Sequence, residues 1–465
     1  MKSKIFQEIL DETSKKTKKE MINYANLKLK TTKMKEKKQK KPSTIREKFL
    51  TEFKIYFDII FGENKNIERN EVKKFLISLT FIKIMEKCGW VNAKLLPTLF
   101  EINNELSVQT LNELTNLNIS NTNNFFKSKI FSENIGFLSF LNNYVYSAKE
   151  LTDKDIITPE ILSNIFEGML EDTKKNGTTY TPKEIVEYMC QSSLIESLKT
   201  NFPDVNIDLI DNIFKNDVID LPADILTKMI SVLDSQKICD PAIGCGVFPL
   251  GMINEISKIK EKIQESLNKE FNSYDVKKGI LEKNIYGVDI EGMGIFISHL
   301  RLNLFLNCDE TNFKGFVNLD YKIVKGNSLI NIIDDKAINI DWNIKEEDNE
   351  LQSFLINALK ENYYYQQKYF SFKGSLSEKN HVKTVIYENK LVIISKILIY
   401  NNANLANSGF QNKKDQLDNL EKMKSNEYLL DKISDYLSDN SKYFEFFDWT
   451  LDFAHIQNPL LFIKQ

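Results

Sequence analysis

The sequence predicts an α/β protein: an open parallel sheet preceded by a helical amino-terminal domain and followed by a helical insertion. Three observations predict it. Residues 237–259 read as an apolar strand ending in an acid, a turn with two glycines, and an amphipathic run. Residues 284–290 form a second apolar strand ending in an acid, followed from Gly294 by the run of a buried helix. On either side, 46–61 and 71–90 repeat apolar residues at helical spacing, and 340–440 is charged and helical in character.

The elements follow in order. Residues 1–43 are a basic tail, expected to be flexible; residues 1–48 hold 16 Lys/Arg against 6 Asp/Glu in a chain of net charge −3. A solvated tail is the plain reading. Attraction to nucleic-acid phosphates is the functional one, and such a segment contacts phosphates without reading bases. Residues 44–150 form a helical domain and 151–335 the sheet-bearing core. Residues 336–445 are a helical insertion, in which Tyr363, Tyr364 and Tyr365 are expected to pack rather than stack on bases. Residues 446–465 close the sequence.

No stretch approaches the roughly 18 apolar residues of a membrane span, and the first residues, Met-Lys-Ser-Lys-Ile-Phe-Gln-Glu, lack the apolar region of a signal peptide, so none is expected. The five cysteines form no C-x-x-C pair and read as reduced core residues of a cytoplasmic protein. The three histidines are scattered, so no metal site is expected; His299 reads as a satisfied core histidine.

The chemistry concentrates in the core. Asp240, Pro241, Ala242, Gly244 and Gly246 form the turn after the first strand. Glycines belong where backbone passes close to a ligand. Two glycines after an acid fit a ligand with a cationic group better than a pyrophosphate. Asp289 ends the second strand, where ligands bind in such sheets, and Ile290 follows. The 49 residues from Asp240 to Asp289 exceed the roughly 20 of a nicotinamide-binding unit, which disfavours an oxidoreductase. Upstream, Thr181, Pro182 and Glu184 read as N-cap, first helical residue and capping-box acid. Downstream, Ile323 to Leu329 reads as a strand and a Gly-Asn turn at Asn327.

Together these segments resemble adenine-specific (N6) DNA methyltransferases of the large single-chain restriction–modification (type IIG-like) kind. Residues 240–248 resemble the family's Asp-Pro-Ala-x-Gly-Ser-Gly-x-Phe, with Cys245 at the serine position. Residues 177–188 resemble its Tyr-Thr-Pro element, and 323–329 its Gly-Asp-Ser-Leu, with Asn327 replacing the acid. Residues 83–90 and 156–170 are similar to its helical domain and linker helix. The resemblance implies a Rossmann-like sheet that binds S-adenosyl-L-methionine. In it Tyr180, Thr181 and Pro182 close over the methionine end, Asp289 accepts from the ribose hydroxyls, Ile290 covers the adenine and Asn327 accepts from its amine. It implies double-stranded DNA as substrate. Family members that carry a nuclease show Pro-Asp and Glu-x-Lys; Glu52, Phe53 and Lys54 have only the second spelling, inside an amphipathic helix.

The resemblance breaks at the acceptor side. The family holds a flipped adenine with Asn-Pro-Pro-Tyr. After Phe446 to Phe453, similar to the segment before that strand, this chain offers only Asn458 and Pro459, followed by Leu460 and Leu461. The catalytic motif and the later strands and recognition domain are expected to be missing, as in a truncated gene or a split enzyme with a second polypeptide. The reading is a site-specific DNA adenine methyltransferase of a restriction–modification or related defence system, incomplete in this chain. The alternative is a non-catalytic S-adenosyl-L-methionine- or DNA-binding fragment acting through a partner chain.

Overall fold

The computed structural model describes residues 44–63, 67–102, 136–149, 155–169, 181–215, 219–333, 336–337, 340–342, 344–345, 348–371, 376–407, 413–438 and 446–462. The basic tail and Tyr180 lie outside them. The chain is mostly helical with small parallel sheets, and it divides into two compact units, residues 1–173 with 310–313 and residues 174–309 with 314–465.

The first unit contains α1 (Ile45–Glu63), α2 (Arg69–Lys87), α3 (Leu95–Ile102), α4 (Phe137–Asn142), β1 (Val145–Tyr146), β2 (Ile156–Ile157) and α5 (Glu160–Met169). Phe49, Phe53, Phe57 and Ile60 recur at helical spacing and are all buried, so α1 presents an aromatic stripe. The Phe49 ring lies 4.9 Å from those of Phe140 and Tyr144. α2 is buried along most of its length, including the Lys83–Glu86 ion pair at 2.7 Å. Glu86 also accepts the Leu96 N–H at 2.8 Å, so the buried charge is satisfied twice. Glu52 accepts the Tyr144 hydroxyl at 3.0 Å, and Phe53 beside it is core. β1 and β2 pair in parallel.

The second unit opens with α6 (Lys183–Asn201), α7 (Ile207–Lys215) and α8 (Ala223–Ser235). Then come β3 (Ile238–Asp240), α9 (Val247–Ser266), α10 (Ser273–Lys283), β4 (Ile285–Asp289), α11 (Gly292–Asn307) and β5 (Ile323–Lys325). β3, β4 and β5 form a parallel sheet in that order, with Asp240 opposite Gly287 and Asp289 opposite Lys325. Parallel neighbours need crossovers, which α9 with α10 and then α11 supply. Ile285 and Ile323 belong to the core built from α6 to α11; Tyr286 and Val288 pack instead on Phe447 and Phe453.

Polar side chains fix the connections. Buried Asn284 donates to the carbonyls of Leu233 and Gln236, at 2.8 and 2.7 Å, which holds the entry to β3. Lys237 and Lys322 donate to the carbonyls of Lys283 and Glu282, at 2.7 and 2.8 Å, placing two lysine amines on the C-terminal end of α10. Along α11, Asn303 both donates to and accepts from the Val317 backbone, and Asn307 does the same toward Gly315 and Lys314. His299, one turn earlier, contacts the Ile323 carbonyl at 3.2 Å. Burial pulls its pKa below the ordinary value. Its ring is half-buried and partnered rather than fully in the core. Of the cysteines read as core, Cys190 and Cys245 are buried, Cys88 and Cys308 are half-buried and Cys239, at the edge strand, is exposed.

A short antiparallel pair, β6 (Ile332–Ile333) and β7 (Lys336–Ala337), leads to α12 (Asn349–Phe370), α13 (Leu376–Asn407) and α14 (Lys413–Ser438). The sequence predicts helix from 340; the described residues between 340 and 348 are not helical, and Trp342 and Ile344 anchor them by burial. α12 packs on α13, and α13 on α14. Tyr363 stacks on His455 at 4.3 Å, in agreement with a packing role, whereas Tyr364 is exposed and departs from it. The chain continues through α15 (Trp449–Asp452), α16 (Ala454–Gln457) and α17 (Pro459–Phe462).

Candidate functional site

The site forms at the C-terminal ends of β3, β4 and β5. Adjacent strands bring Asp240 and Asp289 to the same end of the sheet. After Asp240 the chain turns sharply: the Ile243 N–H donates to the Val288 carbonyl at 3.0 Å and the Gly246 N–H to the Ile243 carbonyl at 2.9 Å. Gly244 and Gly246 take φ of +51° and +78°, where a side chain would be strained. Gly246 is the N-cap of α9. Ile243 lies so close to Gly287 that no Cβ fits there, and a Cβ on Gly294 would stand 3.0 Å from the Gly244 carbonyl oxygen. The turn is therefore clamped between β4 and the start of α11.

Asp289 fastens it. One carboxylate oxygen accepts the Gly244 N–H at 2.7 Å, the other the Glu291 N–H at 2.8 Å. Each oxygen keeps further acceptor capacity. Asp240 differs. Its Oδ1 accepts the Ala242 N–H at 3.0 Å, whereas Oδ2 is buried without a hydrogen-bond partner. Burial raises the Asp240 pKa above the usual carboxylate value, and the charge of Asp289 adds to that, against the Ala242 bond. An acceptor in this state gains from a cation or donor brought to it. Pro241 and Ala242 are exposed at the mouth.

Two apolar residues stand out on the same edge. Ile290, after β4, is 61 % exposed, and Leu329, after β5, is 91 % exposed. Leu329 and Ile330, also exposed, are site candidates that sequence reasoning missed. Their signal was available, since an apolar pair follows Gly326-Asn327-Ser328 at the end of the third strand, where ligands bind in such sheets. Gly294 was missed as well, although the glycine pair 292 and 294 opens α11 right after the acid.

Three expectations need correction. Thr181 is not the cap of α6: the helix starts at Lys183, Pro182 is its N-cap, and no side chain caps it, so the capping box with Glu184 does not form. The carbonyl of Pro182 accepts from Ile185 and Val186 instead, because proline geometry suits the N-cap as well as the next position. Asn327 does not present a free acceptor, since its Oδ1 accepts the N–H groups of Leu329 and Ile330 at 2.9 and 3.0 Å. Both lone pairs are committed to the turn. Asn458 is fully buried; it donates to the Thr450 carbonyl at 2.8 Å and accepts the Leu460 N–H at 3.0 Å. It starts α17, with Pro459 at the first helical position, and its amide faces no open site.

No family model matches the sequence. A protein of Methanocaldococcus jannaschii, provisionally named a type II restriction enzyme and methyltransferase, is 32% identical over 232 residues. That alignment covers 44% of this chain and 20% of the relative, so the chain spans about a fifth of its length. Among solved structures, the type IIL restriction-modification enzyme MmeI in complex with DNA aligns with 75% of this chain and 48% of its own, at 15% identity and a TM-score of 0.39. Among the described residues, no helix is long and apolar enough to cross a membrane.

Proposed function

We propose that residues 238–331 are the cofactor half of a site-specific DNA adenine methyltransferase of a restriction–modification system, using S-adenosyl-L-methionine and double-stranded DNA. The observation that carries the reading is the buried, unpartnered Oδ2 of Asp240 beside a glycine turn that Asp289 holds. The name of the 32% identical relative, a restriction enzyme and methyltransferase, agrees with it. Adenine as the acceptor rests on the Asp-Pro-Ala-x-Gly-x-Gly spelling of residues 240–246.

The residues present fit the cofactor. Asp240 offers its free acceptor to the ammonium of the methionine part, and the Tyr180-Thr181-Pro182 element is assigned to that end by its resemblance alone. Asp289 keeps acceptor capacity for the ribose hydroxyls. Ile290 and Leu329 supply apolar cover for a purine, and Asn327 shapes the turn that carries Leu329. The positive-φ glycines let backbone pass close to the ligand. Bound there, S-adenosyl-L-methionine supplies an electrophilic methyl group on a sulfonium.

The acceptor half has different requirements. An adenine must leave the duplex, and its amine must be polarised and aligned. Asn458 is committed to a helix cap, and Leu460 and Leu461 offer neither an acceptor side chain nor an aromatic face. We place the acceptor-side groups on further sequence or on a partner chain. The capping role of Asn458 also favours the second reading, a non-catalytic cofactor- and DNA-binding piece that acts through a partner. In either case the basic residues 1–48 hold DNA through phosphates, with strong salt dependence.

Calorimetry with S-adenosyl-L-methionine and with NAD tests the cofactor. Saturable binding of the first alone is expected, and binding of NAD alone would overturn the reading. Transfer of labelled methyl to unmethylated DNA tests the division of labour. No N6-methyladenine is expected from this chain by itself; robust methylation would show that its own residues complete the acceptor site.

A further inference from the structure

The apolar turn at 326–331 is held from behind by a segment with no assigned role. Gly326 continues the sheet, donating its N–H to the Asp289 carbonyl at 2.8 Å. Phe447 packs so tightly on Gly326 that a Cβ there has no room. The Trp449 indole N–H donates to the Ser328 carbonyl at 3.0 Å. The Asn331 amide donates to Asp448 Oδ2 at 2.5 Å. Residues 447, 448 and 449 thus grip the base of the turn at three points, and Leu329 projects from its crest.

The grip is itself braced. Asp448 Oδ1 accepts the N–H groups of Thr450 and Leu451, at 2.9 and 3.0 Å, and caps α15. Its own N–H donates to Asp452 Oδ2 at 3.0 Å. Asp452 Oδ1 accepts from Lys390 of α13 at 2.7 Å. Asp448 and Asp452 are both buried. A continuous polar chain therefore runs from α13 through Asp452 and Asp448 to the turn. Burial and the charge of Asp452 raise the Asp448 pKa, which its donors oppose.

We propose that Asp448 and Trp449 are positioning residues for cofactor binding: they fix the 326–331 turn so that Leu329 and Ile290 form a preset apolar slot for the purine. The proposal rests on the S-adenosyl-L-methionine reading above. Asn327 closes the turn locally, and the contacts to residues 447–449 fix where its apolar crest stands over the strand ends.

Trp449→Phe keeps an aromatic ring against Phe447 and Phe453 and removes the indole N–H with part of the ring area, whereas Asn331→Ala leaves that packing whole. Asn331→Ala removes the contact to Asp448 Oδ2 and leaves the α15 cap intact. Two readouts apply to each. Hydrogen exchange of the peptide spanning 326–331, where Asn327 protects two amides, reports the turn without any ligand. At least tenfold faster exchange is expected there, with α13 unchanged. Calorimetry compares S-adenosyl-L-methionine with an analogue that keeps the ribose and amino-acid part but lacks the purine. The parent is expected to prefer the natural compound, and each variant to bind it five- to twentyfold more weakly and lose that preference. A general loss of stability would lower both affinities alike and keep their ratio. Unchanged exchange in both variants overturns the brace. Faster exchange with unchanged affinity and preference overturns its role in binding and leaves the cofactor reading intact. A parent that binds neither compound overturns the cofactor reading, and with it the slot, whatever the exchange shows.

Discussion

Asp240→Asn separates ligand binding from folding, because the two respond with opposite signs. The substitution preserves the shape of the side chain and an oxygen for the Ala242 N–H, now 3.0 Å from Oδ1. It removes the charge and the free acceptor Oδ2, which is buried without a partner. A hydrogen bond to a charged group contributes about 1.5–3 kcal/mol. With tenfold per 1.4 kcal/mol, the Kd for S-adenosyl-L-methionine should rise about 10- to 150-fold. Ligand-free stability should move the other way. The folded-state pKa of Asp240 lies above 3.8, so the folded chain holds this proton more tightly than the unfolded one. Stability therefore falls as pH rises from 3.8 through the folded pKa, and the ionised carboxylate is a net cost at neutral pH. The asparagine variant lacks that cost, and its ligand-free melting temperature at pH 7.5 should equal or exceed the parent's. Calorimetry for binding and thermal unfolding without ligand measure the pair. A variant that binds as tightly as the parent, or melts several degrees lower without ligand, would refute the reasoning.

Asp289→Ala should weaken cofactor binding at least tenfold and also lower the melting temperature, since the carboxylate holds the N–H groups of Gly244 and Glu291. Parent-like affinity by calorimetry would exclude it from the site. Gly294→Ala places a methyl 3.0 Å from the Gly244 carbonyl, which backbone cannot easily vacate, so binding should fall while far-ultraviolet dichroism is retained. Asn458→Ala should cost about 2 kcal/mol by denaturant unfolding, through the lost cap and buried hydrogen bonds, with cofactor affinity unchanged. An affinity loss without a stability loss would reinstate Asn458 as a site residue. Burial, with Lys237 nearby, lowers the Lys322 pKa from 10.5 to about 7. The unfolded chain then binds the extra proton between those values, so stability should rise with pH from about 7 to 10, and Lys322→Met should flatten that slope.

Much of the core was legible because its signals are local. A strand ending in an acid, a two-glycine turn and a helix require only neighbouring residues, and Asp240, Gly244, Gly246 and Asp289 all stand where those signals put them. Side-chain assignments that depend on the exact turn were not legible. Asn327 reads as an acceptor in sequence, yet its oxygen closes its own turn, a choice made by the backbone of residues 328–330. Thr181 reads as a cap, yet Pro182 satisfies the same geometry one residue later. Long-range packing was the least accessible. Nothing near Asp448 or Trp449 in sequence points to Ser328 and Asn331, more than a hundred residues away. The described residues between 340 and 348 are held out of a helix by the burial of Trp342 and Ile344.

Binding and transfer make separate physical demands, and the function proposed here has this chain meet them unequally. Strands of three to five residues cannot fix a ligand turn alone. Here both faces of the sheet are covered, one by the core of α6 to α11, the other by Phe447 and Phe453. The turns at 240–246 and 326–331 inherit that rigidity: one is clamped by Asp289 and Gly294, the other gripped by Phe447 and Trp449. Cofactor affinity should then be a property of the second unit's core and independent of DNA. Transfer needs a group that polarises an amine and a face that stacks on a base, the latter worth about 1–3 kcal/mol. Asn458 has both ends of its amide bonded inside the fold and supplies neither. The phenotype that follows is binding without transfer: calorimetric affinity for S-adenosyl-L-methionine should be the same with and without duplex DNA, while labelled methyl stays on the cofactor. A DNA-dependent gain in affinity of tenfold or more would show that the acceptor site is coupled to this half, and the separation argued from its packing would fail.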